Sequence, residues 1–183
     1  MARRTPRRDE KLTLTGVARP FTADEIIVTK TDLKGHITYA NDVFLRLAGY
    51  PEDQVIGAPH SLIRHPHMPH GVFKLLWDTL AAEKEIFAYV LNRSANGDHY
   101  WVLAHVTPSY DKNGKVTGYH SNRRVADENI LKTVIEPLYA KTREAESRFE
   151  NPKEKAAAGL AFLASVLEKE GKSYEELVFS LLK

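Results

Sequence analysis

Hydrophobic and polar residues alternate with a period of two in five stretches of the chain, and this alternation predicts β-strands. The first two stretches, at residues 26–32 and 35–41, meet in the turn sequence DLKG. The other three lie at residues 85–93, 99–111 and 116–125. Both linkers between these three contain an Asn-Gly pair, which favours tight hairpin turns. Because hairpins make neighbouring strands antiparallel, the pattern predicts a five-stranded antiparallel sheet.

Helical patterns fill the gap between the two groups of strands. Asn41 is the expected N-cap of a first helix, and Gly49 is its expected C-terminal end. Short helices are predicted at PEDQV and around HSLI, and a longer one over residues 68–82. The order of two strands, several short helices and three strands predicts an α+β fold, with the helices on one face of the sheet.

Other segments flank this predicted domain, which we assign to residues 21–127. Residues 1–20 are polar, basic and without periodicity, so we expect an N-terminal tail. Residues 128–150 carry the spaced apolar positions of a connecting helix. Residues 151–183 predict a helical hairpin whose second helix is capped by Ser173.

The apolar stripes of these C-terminal helices suggest a contact surface. A narrow domain does not easily cover three such faces, and exposed apolar patches mark interaction sites. We therefore expect a homodimer contact or the docking of a signalling protein. The alternative is that the helices cover the outer face of the sheet within one chain.

Composition excludes several classes of chemistry. The chain has no cysteine, which rules out disulfides, thiolate metal sites and cysteine nucleophiles. No apolar run reaches the length of a membrane span, and no signal peptide follows the basic N-terminus. Acidic and basic residues are interspersed at a net charge of only +2, which does not indicate a nucleic-acid surface. We expect a soluble, cytoplasmic protein.

Polar side chains that suit a ligand are concentrated in the sequence RHPHMP, at residues 64–69. Its guanidinium and imidazole groups precede a predicted helix N-terminus, so together they present donors to an anionic or carbonyl-rich ligand. Asn92 ends a predicted strand, where alternation places it on the same face as Ala88 and Val90. An amide among small apolar neighbours suits the edge of a flat heteroaromatic ring.

The order of these motifs resembles a PAS domain. The segments TDLKGHITYAND, GYPEDQVIGAPHSLIRHPHMP, FKLLW, NRSANGDHYWV and VTPSYDKNGKVTGYHSNRR are similar to the flavin-binding PAS domain of bacterial aerotaxis, or energy-taxis, transducers. The resemblance extends over residues 29–124. It implies a sensory module that holds FAD without a covalent bond and reports redox, oxygen or energy state to a signalling partner, with no enzymatic reaction.

The resemblance also implies which residues hold the cofactor. The candidate cofactor-binding residues are Arg64, His65, His67, Trp77 and Asn92. On its helix alone, Trp77 would be interpreted as a core residue, so its assignment rests on the family match.

Two positions depart from the family pattern. His67 stands where the family has an aspartate after RHP, and Leu75 stands where it has an aspartate two residues before the tryptophan. Both changes remove a negative charge. If those carboxylates accept hydrogen bonds from the cofactor, this chain needs substitutes or a different ligand.

Other functions remain open from the residues. Heme is one alternative, because His60, His65, His67 and His70 offer four candidate axial ligands. A ligand-free PAS dimerisation adaptor is another. A flavin oxidoreductase is less expected because no glycine-rich dinucleotide fingerprint occurs. Flavin-binding LOV domains share the expected fold, but they form a photoadduct through a cysteine that this chain does not have.

Overall fold

The computed structural model describes residues 13–182 of the chain. The first twelve residues of the expected N-terminal tail therefore lie outside the described part. The rest of that tail runs beside the sheet: the Thr15 amide donates to the Gly97 carbonyl, and the Arg19 amide donates to the His99 carbonyl. These contacts attach residues 15–19 to the hairpin around Gly97.

A five-stranded antiparallel sheet forms the centre of the molecule, as the alternation predicts. Its strands are β1 (Ile27–Asp32), β2 (Ile37–Ala40), β3 (Ile86–Arg93), β4 (His99–Tyr110) and β5 (Val116–Val125). Their order across the sheet is β2-β1-β5-β4-β3, so the first strand of the chain pairs with the last. This order places β5 at the centre, with hydrogen-bonded neighbours on both sides.

Short helices lie on one face of the sheet, which we term the inner face. They are α1 (Asp42–Ala48), α2 (Glu52–Val55), a 3₁₀ turn (His60–Ile63) and α3 (His70–Ala81). The Asn41 side chain caps α1 by accepting from the Phe44 amide, and Gly49 ends it in the left-handed conformation. Helix α3 starts at His70 rather than at Met68, because the two residues before it are held in an irregular segment that ends at the extended Pro69.

The connecting helix contains a local irregularity that the sequence pattern did not predict. It consists of α4 (Glu128–Ile130), a π-helical segment (Leu131–Ile135) and α5 (Glu136–Glu146). Pro137 lies in the first turn of α5. Because proline has no amide proton and its ring collides with the carbonyl four residues earlier, a regular α-helix cannot run through this position. The wider π turn accommodates the proline without ending the helix.

Two further helices, α6 (Pro152–Glu170) and α7 (Tyr174–Leu181), complete the chain. Helix α6 packs on α3 and α5, whereas α7 packs on β3, so the two helices cover different parts of the domain. Leu163 of α6 and Val178 of α7 are buried. These two side chains of the C-terminal helices are therefore covered within one chain, and the expected dimer or docking contact through the helices stays a prediction.

Helix α3 and the C-terminal helices are joined by a buried carboxylate. Glu146, at the end of α5, is 3% exposed. It accepts hydrogen bonds from the backbone amides of His70 (3.0 Å) and Gly71 (2.8 Å), the first two residues of α3. The negative charge thus lies where the α3 amides and dipole favour it. Gly71 and Gly159 allow α3 and α6 to approach at backbone distance.

Within residues 13–182 there is no helix with both the length and the apolar character needed to cross a lipid bilayer.

Candidate functional site

A cavity of about 320 Å³ lies between the inner face of the sheet and α3. Small residues create it: Ala104, in the middle of β4, leaves room above the central strands. The walls on the helix side are apolar and come from α3. The floor consists of side chains of alternate residues on the strands, which are Thr29, Thr31, Val90, Asn92, Ala104, Val106, Tyr119, Ser121 and Arg123.

Asn92 lies on the floor of this cavity, as its strand position predicts. It is 3% exposed, and within the described chain its Nδ2 has no hydrogen-bond partner. Leaving a buried amide donor unpaired costs about 1–3 kcal/mol, so its position indicates a ligand acceptor. The β3 backbone at Asn92 also forms an isolated antiparallel bridge with Arg64, which attaches the RHP segment to the sheet.

Arg64 and Trp77 line the same cavity. The Arg64 guanidinium carbon lies 3.7 Å from the centre of the Phe73 ring, a cation–π contact on the first turns of α3. Trp77 is 38% exposed and meets Tyr119 edge to face at 5.6 Å. Trp77 therefore stands where the cavity opens to the surface, between the helix wall and the central strand. Three of the five candidate residues, Arg64, Trp77 and Asn92, are thus brought together.

His65 and His67 point away from this cavity. Arg64 has an extended backbone, so the next side chain projects to the opposite side of the chain. Both histidines border a separate groove that is also lined by His99 and Arg143, and the His65 and His67 rings are 4.8 Å apart. The structure therefore does not bring His65 and His67 together with Arg64 in one cavity, and their role in cofactor binding stays a prediction.

Burial also affects the protonation of this histidine group. Desolvation is the main cause that lowers the pKa of His65 from 6.5 to about 4, and the charges of His67 and His99 add to it. The His65 Nδ1 accepts a hydrogen bond from the His67 amide. His65 is therefore neutral at pH 7 and stabilises the turn that leads into α3.

Arg123 is a cavity residue that the sequence interpretation missed. It lies on β5, is 4% exposed, and donates from Nη2 to Thr29 Oγ1 (2.8 Å) and His60 Nε2 (2.6 Å). Burial lowers the pKa of Arg123 to about 10, so it is still charged at pH 7. Alternation along β5 puts Tyr119, Ser121 and Arg123 on one face, and this period of two is the signal that would have found them.

The four candidate axial histidines do not all lie in the cavity. Only His60 of the four reaches the cavity, and its Nε2 already accepts from Arg123. Burial, followed by the charges of Arg123 and Arg64, lowers the pKa of His60 well below its usual value. His70 contacts Glu146 instead. Across residues 13–182, no three histidine or carboxylate side chains are grouped as metal ligands.

The two departures from the family pattern lie outside the cavity. His67 borders the separate groove, and Leu75 packs against the hydrophobic core without lining the cavity. The absence of these two carboxylates therefore does not change the residues on the cavity floor.

The cavity is positively charged. Lys34, Arg64 and Arg123 line it, and none of its described lining residues is an aspartate or glutamate. A ligand with carbonyl oxygens or a negative charge is favoured there, because a low-dielectric cavity strengthens each charge interaction.

Comparison with known proteins agrees with this architecture. Residues 37–123 match the family model described as the PAS fold. The aerotaxis receptor of Escherichia coli (strain K12) is 42% identical over 121 residues, which cover 66% of this chain and 23% of the receptor. The nitrogen fixation regulatory protein of Klebsiella pneumoniae is 26% identical over 54% of this chain and 20% of its own length. The chain thus spans about a quarter or less of these relatives.

Solved structures show the same fold. The light-state structure of the blue-light photoreceptor Aureochrome1 LOV aligns with a TM-score of 0.52 at 24% identity, covering 61% of this chain and 88% of that one. A PAS domain from Colwellia psychrerythraea aligns with a TM-score of 0.51 at 21% identity, covering 55% and 86%. With the sheet order, the cavity and the matched residues, these findings identify residues 37–123 of this chain as a PAS domain that resembles part of the aerotaxis receptor.

Proposed function

We propose that this protein is a cytoplasmic sensory module that holds FAD non-covalently in the cavity and reports redox, oxygen or energy state to a chemotaxis-type signalling partner. It binds and signals, and does not act as an enzyme on an external substrate. The similarity to an aerotaxis receptor supports this class of function. The bound flavin would supply reversible uptake of electrons, while the chain holds the ring and transmits its state.

One observation carries the proposal: the cavity floor has buried polar atoms that need a ligand. Within residues 13–182, Asn92 Nδ2, Ser121 Oγ and Arg123 Nη1 are buried without a hydrogen-bond partner. All three residues line one apolar-walled cavity. The donor and acceptor edge of a flat heteroaromatic ring satisfies such atoms, and the α3 side chains would cover its face.

The size and charge of the cavity also fit this ligand. A volume of about 320 Å³ is at the lower end of ligand pockets, which suits the ring system better than the whole dinucleotide. The hydrated diphosphate would remain towards the exposed Lys34 and Trp77. Arg64 and Arg123 add positive charge deeper in the cavity.

The same helix that walls the cavity provides a route for output. Trp77 and Leu76 of α3 line the cavity, while the first residues of α3 are held by Glu146. A change at the ring that moves α3 would therefore act on the C-terminal helices. In this proposal the signalling partner is contacted either by these helices or by a homodimer that forms through another surface.

The visible spectrum of the purified protein tests this function. We expect the paired absorption bands of flavin, and FAD in the extract after the protein is denatured. Asn92→Ala should lower the amount of bound FAD, whereas Asn122→Ala, on the face of β5 that points away from the cavity, should retain it. A Soret band would indicate heme instead. A colourless protein that takes up no added FAD would exclude the proposed function.

A further inference from the structure

Arg123 is a buried positive charge that the described chain does not neutralise. None of the ion pairs among residues 13–182 includes it. Its two side-chain partners, Thr29 Oγ1 and His60 Nε2, are neutral acceptors. Isolated buried charges are costly unless they are paired, so an uncompensated guanidinium indicates that a ligand supplies acceptor oxygens or negative charge.

The orientation of the side chain supports a ligand as that source. Nη2 is used by Thr29 and His60, whereas Nη1 is buried and has no partner within the described chain. His60 accepts from the arginine at Nε2 and so carries its own proton on Nδ1, which leaves it neutral. The pair therefore fixes Arg123 on the cavity floor without reducing its charge.

The position of Arg123 favours a contact with the ring of FAD over a contact with its diphosphate. Arg123 is 4% exposed and packs near Phe44 in the core, with 5.8 Å from its guanidinium carbon to the ring centre. The exposed Trp77 contacts Tyr119, which lies four residues before Arg123 on β5. A strongly hydrated diphosphate would lose more solvation at the buried end than a ring would.

We propose that Arg123 is the residue that sets the reduction potential of the bound ligand by holding a fixed positive charge against its redox-active ring. This inference rests on the proposed flavin function. Uptake of two electrons and one proton leaves one net negative charge on such a ring, and the electrons come from an external reductant. Arg123 therefore stabilises the reduced ligand more than the oxidised one, and raises its potential.

The adjacent arginine provides a matched control. Arg124 carries the same charge, is exposed and alternates to the opposite face of β5. The reduction potential of bound FAD would be measured for wild type, Arg123→Gln, Arg123→Lys and Arg124→Gln, by reduction with dithionite against a reference dye. We expect Arg123→Gln to weaken the preference for reduced over oxidised FAD at least tenfold, which lowers a two-electron potential by about 30 mV.

The controls separate this inference from the function on which it rests. Arg123→Lys keeps the positive charge, so its potential should fall by less than half as much as that of Arg123→Gln. The potential of Arg124→Gln should match that of wild type. Equal potentials in Arg123→Gln and Arg124→Gln, with FAD bound to both, would overturn the role of Arg123 and leave the flavin function standing. Wild type that binds no FAD would overturn both.

A second variant covers the case in which Arg123→Gln does not fold. Ser121→Asp keeps Arg123 and its bonds but adds a carboxylate two residues away on the same face of β5. Its charge compensates the guanidinium, so the potential should fall as in Arg123→Gln. An unchanged potential in Ser121→Asp with FAD bound would contradict the proposal.

Discussion

At the scale of single residues, the RHP motif contributes side chains to two separate cavities. Arg64 points into the cavity, and His65 points into the groove behind it, although they are neighbours in sequence. The family pattern treats them as one site, and the backbone separates them. A comparison of the two residues therefore distinguishes ligand contact from support of the turn.

We expect Arg64→Ala to weaken FAD binding at least tenfold, or about 1.4 kcal/mol, because it removes a cationic wall of the cavity. His65→Ala should change the affinity by less than about twofold on the same scale. Titration of the FAD-free protein, followed by flavin fluorescence, measures both. Circular dichroism serves as the folding control. Equal losses in the two variants would place His65 in the site.

The His65 imidazole should make stability depend on pH. Its pKa is near 6.5 in the unfolded chain and about 4 in the folded one. Between these values the unfolded state binds the proton and the folded state does not, so stability falls as pH drops from 6.5 to 4. The loss should be on the order of 2 kcal/mol, after solvent screening is allowed for.

Urea unfolding at pH 7.5, 5.5 and 4.5 tests this dependence. His65→Asn keeps a side-chain acceptor for the His67 amide but cannot take up a proton. The variant should therefore lose less stability than wild type on acidification. Parallel curves for the two proteins would show that another group is responsible.

At the scale of elements, the crossing of α3 and α6 depends on glycine. A Cβ on Gly159 would lie 2.1 Å from Glu146 Oε1 and 3.0 Å from the Gly71 Cα. Glycine in the middle of a helix normally costs about 1 kcal/mol relative to alanine. Its presence here is explained by the close approach, which also keeps Glu146 in contact with the start of α3.

Gly159→Ala should destabilise the protein by about 1–3 kcal/mol, since it overpacks the crossing despite the better helix propensity of alanine. The exposed Ala157 on the same helix gives the control, because Ala157→Gly changes propensity alone and should cost about 1 kcal/mol. Denaturant unfolding measures both free energies. A gain in stability for Gly159→Ala would show that α6 does not lie on α3 in solution.

At the scale of the whole molecule, the C-terminal helices act as a cover for the domain. Tyr139 of α5 donates to the Tyr89 carbonyl of β3 at 2.7 Å and also contacts the Tyr174 hydroxyl at 3.0 Å. Phe179 of α7 lies against Phe87 with ring centres 4.9 Å apart. The outer face of the sheet is therefore covered at β3 by helices of the same chain.

Deletion of residues 151–183 should uncover apolar surface on α3 and β3, so the truncated protein should self-associate more than the full chain. Light scattering at several concentrations measures the mass, and binding of an apolar dye reports the exposed surface. If α6 and α7 instead held a homodimer together, deletion would convert dimers to monomers. That result would contradict the intramolecular cover.

The sequence alone was sufficient for features that depend on local interactions. Period-two alternation located the strands, and Asn41, Gly49 and Ser173 marked helix ends, because caps and turns are decided by residues a few positions apart. The position of Asn92 on the cavity face followed from alternation along one strand. Pro137 was visible in the sequence, but the π turn that accommodates it was not predicted.

Only the tertiary structure decided which distant residues meet. Arg123 joins Thr29 and His60 because β5 pairs with β1 across a separation of about ninety residues, and no local pattern encodes that neighbour. Glu146 finds the start of α3 because α6 and α3 cross at glycines far apart in the chain. Such contacts depend on the packing of whole elements, whose free energy is spread over many side chains and is not carried by any one segment of sequence.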